Sequence, residues 1–157
     1  MKLIRLIWIL LTAALVWWAC SSPEEPNKGP GQIVKTEVPD SIAIPPAGYF
    51  NRALVKAWVE DPDGLKDVDS VYFYSQKPDG NYARGGAPFT LVDNGKPFNI
   101  QNPWEEAGDE KAGDGIYSLT ILVDNEALTG KYIFTFYTRD KAGNLSEPKI
   151  DSIEVYK

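Results

Sequence analysis

From Ile33 to Lys157 apolar and polar residues alternate in short runs, and clusters of Gly, Pro, Asp and Asn separate the runs. Period-two alternation marks half-buried strands. No part of this region carries an amphipathic helical repeat longer than two turns. Seven runs predict strands: 33–44, 52–60, 69–75, 89–93, 116–123, 131–139 and 150–156. Pro39 interrupts the first run, and proline cannot donate to a ladder, so that run predicts an edge strand that kinks or changes sheets. Alternation places Val55, Ala57, Val59, Val71, Phe73, Tyr117, Leu119, Ile121, Val123, Tyr132, Phe134, Phe136, Ile153 and Val155 inside. These side chains are mostly β-branched or aromatic, as strands favour. Short strands with frequent turn signals predict an all-β sandwich of about seven antiparallel strands.

Two local features sharpen that expectation. Gly130-Lys131-Tyr132 opens the sixth run. Acidic, Gly-rich stretches recur at strand junctions: Asp61-Pro62-Asp63-Gly64, Gly108 to Tyr117, and Asp140-Lys141-Ala142-Gly143-Asn144. The first resembles the tyrosine corner of immunoglobulin-like and fibronectin-type domains. That resemblance implies a structural role for Tyr132, its phenol bonding back to nearby backbone. Together the features resemble bacterial immunoglobulin-like domains of secreted and lipid-anchored proteins, over most of residues 50–157. The resemblance implies a fold and leaves function open, because such sandwiches host many unrelated roles.

The start of the chain is different. Sixteen of the first 19 residues are apolar, with Lys2 and Arg5 near the amino terminus. The uncharged stretch from Leu6 to Ala19, with Thr12 its one polar residue, would span about 21 Å as a helix, short of the ~30 Å hydrocarbon core. A secretory signal peptide over residues 1–19 fits better than a permanent span. Ala19-Cys20 follows directly and resembles the lipobox of bacterial lipoproteins, although Trp17 and Trp18 stand where that family usually has Leu and a small residue. The resemblance implies cleavage before Cys20, acylation of Cys20, and a lipid anchor in the bacterial cell envelope, expected in the outer membrane on its periplasmic or surface face. Residues 20–32 then form the lipidated cysteine and a flexible linker, because Ser21 to Gln32 contains no apolar residue to offset ordering entropy. Glu24 and Glu25 resemble the acidic export signal of some surface lipoproteins. The domain proper is 33–157.

Composition narrows the chemistry. The chain has no His and one Cys, so imidazole catalysis, His or Cys zinc sites and internal disulfides are excluded. Its formal charge is −6 and becomes −8 without residues 1–19, which argues against nucleic acid as a partner. No nucleophile–base pair stands out. Carboxylate pairs such as Asp109 and Asp114 imply no flanking cleft.

Three surfaces remain as candidates. In this fold the second, fourth and sixth connections lie at one pole, which would gather Asp61, Asp63, Asp67, Asp109, Asp114 and Asp140 there. Clustered carboxylates repel unless a cation sits among them, and Ca²⁺ is the candidate; the same residues also suit ordinary turns. Tyr72, Tyr74, Tyr137 and Tyr156 fall on outward positions of strands that share one sheet, an aromatic face suited to protein or glycan. Trp104, in the long connection 94–114, either packs over the sandwich end or is presented to a partner. Leu54 and Trp58 form a smaller outward patch. The leading expectation is a non-catalytic, lipid-anchored interaction or surface-structure module. The alternatives are a carbohydrate-binding module or a Ca²⁺-dependent adhesion unit.

Overall fold

The computed structural model describes residues 29–157. The signal segment 1–19, Cys20 and linker residues 21–28 lie outside the described residues. Eight strands form two sheets: β1 (Gln32–Glu37), β2 (Ser41–Ala43), β3 (Asn51–Glu60), β4 (Val68–Gln76), β5 (Phe89–Leu91), β6 (Ile116–Val123), β7 (Gly130–Asp140) and β8 (Lys149–Tyr156). One sheet runs β1-β3-β6, the other β2-β8-β7-β4-β5. Residues 29–157 form an immunoglobulin-like β-sandwich.

The first expected strand is two. β1 pairs antiparallel with β3 through a bulge between Ile33 and Lys35, and β2 crosses to the other sheet to run parallel to β8. The break falls at Pro39-Asp40, where proline removes the ladder donor. The second sheet is therefore mixed, one pair departing from the antiparallel rule. The β4–β7–β8 ladder follows the alternation, with Phe73 opposite Phe136 and Tyr132 opposite Ile153.

The inward faces meet in one core. Val55, Ala57, Val59, Val71, Phe73, Leu119, Val123, Phe134, Phe136, Ile153 and Val155 are buried, and Tyr117, Ile121 and Tyr132 pack half-buried against them. Phe73 sits at the centre. Its ring centroid lies 5.0 Å from Phe89, 4.7 Å from Phe134 and 5.0 Å from Phe136. Each fully buried side chain of this size contributes about 1.5–3 kcal/mol. At the start of β7 the Leu128 N–H donates to the Tyr132 hydroxyl at 3.0 Å, which ties the preceding turn to the strand.

The connection 94–114 has no strand of its own, yet it is built into the sandwich. β6 is the edge of its sheet, and an open edge is a liability. Here Val92 bridges Ser118, and the Ala107 carbonyl accepts the Thr120 N–H at 2.8 Å. Ala107 is fully buried and Ser118 is 1% exposed, although alternation puts Ser118 on the outer face. The connection thus covers the edge and outer face of β6. Gly108 permits the approach: its φ is +100°, and a Cβ there would stand 2.8 Å from Thr120 Oγ1. Leu54, expected in an outward patch, lies under Gly108, while Trp58 carries Lys35 Nζ 4.1 Å above its ring.

Candidate functional site

The acidic residues separate into two groups with different work. In the connection after β3, one carboxylate oxygen each of Asp61, Asp63 and Asp67 lies within 4.8 Å of the others. Asp61 Oδ1 accepts the Asp63 N–H at 2.8 Å, the local bond an aspartate turn makes. Asp61 Oδ2 is buried and accepts no hydrogen bond among the described residues. Burial raises the Asp67 carboxyl above its ordinary range, and the charges of Asp140, Asp61 and Asp63 raise it further. Ca²⁺ takes six to eight oxygens. Of the six aspartates considered from the sequence, only these three stand within that spacing.

Asp140 is buried, and its oxygens accept the Asn144 N–H at 2.8 Å and the Asn144 side-chain amide at 2.7 Å, closing the turn between β7 and β8. Asp109 is buried inside the β5–β6 connection. Its Oδ2 accepts the Gly95 N–H at 2.6 Å, and its Oδ1 accepts the Ser118 hydroxyl at 3.1 Å. Asp114 accepts the Ile116 N–H at 3.0 Å. Asp93, absent from the candidate set, holds the return of the same connection. Its carboxylate accepts the N–H groups of Gly113, Asp114 and Gly115. Asp93-Asn94-Gly95 on one side of a long gap and Gly113-Asp114-Gly115 on the other were the available signal. The pairing across that gap was not readable, because 20 residues separate Asp93 from Gly113. Half-burial pushes the Tyr117 phenol up to about 12, helped by the charges of Asp93 and Asp61.

The tyrosines group differently from the expected four. Tyr72 faces Tyr137 across the β4–β7 ladder. Their rings stack with centroids 5.8 Å apart. Tyr74 stands edge-on to both, at 5.8 and 6.2 Å. Tyr82, on the connection after β4, extends the group edge-on from Tyr74 at 6.4 Å. Burial in this cluster raises the Tyr72 phenol, Tyr74 adds to the rise, and Arg139 opposes it. Arg139 closes one side of the face through a 3.0 Å pair with Asp69. Tyr156 is not part of the cluster. It pairs with Ala43 at the far end of β8, where Val155 faces Gly130, roughly 25 Å along the strand from Tyr137.

Trp104 is half-exposed and serves another surface. Its ring tilts against Phe89 at 6.5 Å, and the Arg84 guanidinium lies over both rings, 4.7 Å from Trp104 and 5.1 Å from Phe89. Arg84 has φ 51°, the one non-glycine residue with positive φ among the described residues. An arginine there is strained by a kcal/mol or more, about 1–3 in general.

No protein-family model and no curated protein sequence matches the chain. Solved structures similar to it include the PKD domain of an M14-like peptidase from Thermoplasmatales archaeon SCGC AB-540-F20. That likeness has 16% identity and a TM-score of 0.45, and covers 82% of this chain and 97% of that one. Another is the cell-surface-expressed, multi-modular chitinase ChiW from Paenibacillus sp. str. FPU-7, at 12% identity and a TM-score of 0.42, covering 87% of this chain and 9% of that one.

Proposed function

We propose that the chain is a non-catalytic protein of the bacterial cell envelope, held in the outer membrane by acyl chains on Cys20, whose sandwich domain binds a protein partner. The observation that carries the binding role is the contiguous tyrosine cluster on the outer face of the five-stranded sheet. Tyr72, Tyr74, Tyr82 and Tyr137 support one another by ring contacts, so their orientation costs little entropy on binding. Large rigid aromatic side chains with polar tips are what protein interfaces concentrate.

The anchor rests on the apolar run before Ala19-Cys20 and the polar spacer after it. Three chains of ~14–16 carbons, at about 0.8 kcal/mol per buried CH₂, make a firm attachment. Cys20→Ser should move the protein out of the membrane fraction and abolish labelling by a fatty-acid analogue. An unchanged membrane fraction would remove the lipid assignment.

A glycan is the second reading, favoured by the Tyr72–Tyr137 stack, because sugar rings lie flat on aromatic faces. A glycan array separates the two. Binding that Tyr72→Ala and Tyr137→Ala both abolish would replace the protein partner by a carbohydrate.

A further inference from the structure

The pole opposite the acidic turns carries two clefts, and neither contains Tyr72, Tyr74 or Tyr137; Tyr82, the outermost member of that cluster, stands beside the larger one. One, of about 530 Å³, lies between the chain ahead of β3 and the β5–β6 connection, among Tyr49, Phe50, Arg52, Phe98, Ile100 and Leu122. The other, of about 900 Å³, opens between the two sheets below the Val92–Ser118 bridge, with Tyr82, Arg84, Trp104, Leu122 and Leu128 at its mouth. Leu122 of β6 lines both, so the clefts lie side by side at this pole. Large apolar side chains are left in water there. Tyr49 is 69% exposed, Ile100 56%, Phe50 54%, and Trp104 and Tyr82 51% each. Patches of this kind on a monomer mark interaction sites.

The surface is also distant from where the described chain enters. Gln32 pairs with Glu60 at one end of β3, and Asn51 pairs with Val123 at the other. The ten residues of β3 put about 30 Å between the two poles.

The larger cleft is lined by Asp124, Glu126 and the Lys77–Asp79 pair as well as by Arg84, and Arg52 and Arg84 are the cations of the two clefts that have no carboxylate partner among the described residues. Arg52 stands 5.3 Å over the Phe98 ring, and Arg84 lies over Phe89 and Trp104. Arg84 Nη1 also donates to the Pro88 carbonyl at 2.6 Å. Among the described residues, neither guanidinium has a carboxylate within ion-pair distance. Both are held over aromatic rings beside concave apolar clefts, and Arg84 is held there at the expense of a left-handed backbone. A pinned guanidinium accepts a carboxylate bidentately at low entropic cost. Concavity suits inserted side chains and does not suit a flat bilayer.

We infer that this tip docks a protein partner that inserts apolar side chains into the two clefts and sets carboxylates on Arg52 and Arg84. The inference rests on the reading of the chain as a protein-binding module, but uses a surface that meets the tyrosine cluster only at Tyr82.

The test uses the full chain in phosphatidylcholine nanodiscs, with random 12-residue peptides displayed on phage as the probe. Selected peptides should combine aromatic or aliphatic residues with Asp or Glu. Their affinity should fall at least 10-fold in Trp104→Ala, in Arg52→Gln and in Arg84→Asn, the last keeping a residue that tolerates positive φ. Tyr72→Ala with Tyr137→Ala should leave that affinity unchanged. Circular dichroism on each variant separates lost binding from lost fold, and Arg52→Gln, on a well-formed strand, serves if Arg84→Asn unfolds. Selected peptides rich in Lys and Arg, or indifferent to the tip variants, overturn the inference. Binding lost only in the tyrosine double variant overturns it too, while leaving the proposed face in place. Capture of phosphatidylglycerol vesicles, or self-association, abolished by Trp104→Ala would replace the protein partner by a bilayer or a second copy, and would equally overturn it.

Discussion

Replacing Asp109 by alanine should unlock the connection between β5 and β6 and cost the domain much of its stability. The carboxylate is 3% exposed and has two partners, the Gly95 N–H at 2.6 Å and the Ser118 hydroxyl at 3.1 Å. A hydrogen bond to a charged group contributes about 1.5–3 kcal/mol. Ser118 is 1% exposed, so alanine leaves its hydroxyl buried without this acceptor. The two bonds sum to about 3–6 kcal/mol. Part of the site lies near the surface, where water can replace the Gly95 bond, so the lower end, about 3 kcal/mol, is the expected loss. For a domain of this size that corresponds to a fall in Tm of roughly 10 °C. Urea unfolding followed by tryptophan fluorescence measures it. Asp109→Asn, which retains one acceptor oxygen, should lose less than alanine. Asp114→Ala removes an exposed aspartate with one local bond to the Ile116 N–H, and should leave the transition nearly in place. If Asp109→Ala unfolds within about 1 kcal/mol of the parent, or together with Asp114→Ala, the connection is not pinned by this carboxylate and the reasoning fails.

Other consequences follow from the same contacts. Asp67 has a folded-state pKa raised by burial and by Asp140, Asp61 and Asp63. A raised carboxyl pKa is a penalty on the folded state, present above that pKa and gone below the ordinary value of 3.8. Asp67→Asn should therefore raise Tm at neutral pH, with the gain shrinking to nothing in acid; an equal gain at pH 7 and pH 3 would refute this. Tyr132→Phe deletes the acceptor for the Leu128 N–H and should cost about 1 kcal/mol in chemical denaturation, with the strands intact by circular dichroism. Asp93→Ala removes the acceptor for three backbone N–H groups. Amide exchange at Gly113 and Gly115 should speed up at least 10-fold, while Val55 and Phe136 in the core stay protected.

The sandwich was legible because its signal is local. In β3, β4 and β6 to β8 one face is buried, so apolar residues recur every second position, and a one-residue slip would invert every one of them. The change of sheet at Pro39 was legible for the same reason, since a missing donor is a property of one residue. The parallel β2–β8 pair was not, because the first and last strands meet only in the folded chain. The connection 94–114 hid its role completely. Ala107 is fully buried and Phe98 supports Arg52, but nothing in their spacing has a strand or helix period. The Asp109 carboxylate looked like a turn residue because Asp before Glu-Lys-Ala-Gly usually is one, and its partner Ser118 was assigned to the solvent face by alternation. Alternation also put Tyr156 on the tyrosine face. Only the β7–β8 register separates it from Tyr137. The cleft-bearing tip was least visible, since Tyr49, Arg84, Ile100, Trp104 and Leu122 come from four distant segments.

The proposal that this is a protein-binding module reduces to whether another protein sits on the tyrosine face in the cell. A photo-crosslinking amino acid placed at Tyr74 in intact cells addresses that directly, with Lys35, exposed on β1 of the other sheet, as the control position. If the face binds a protein, one discrete protein adduct forms from position 74 and none from position 35. No adduct from position 74, or the same adducts from both, would contradict it.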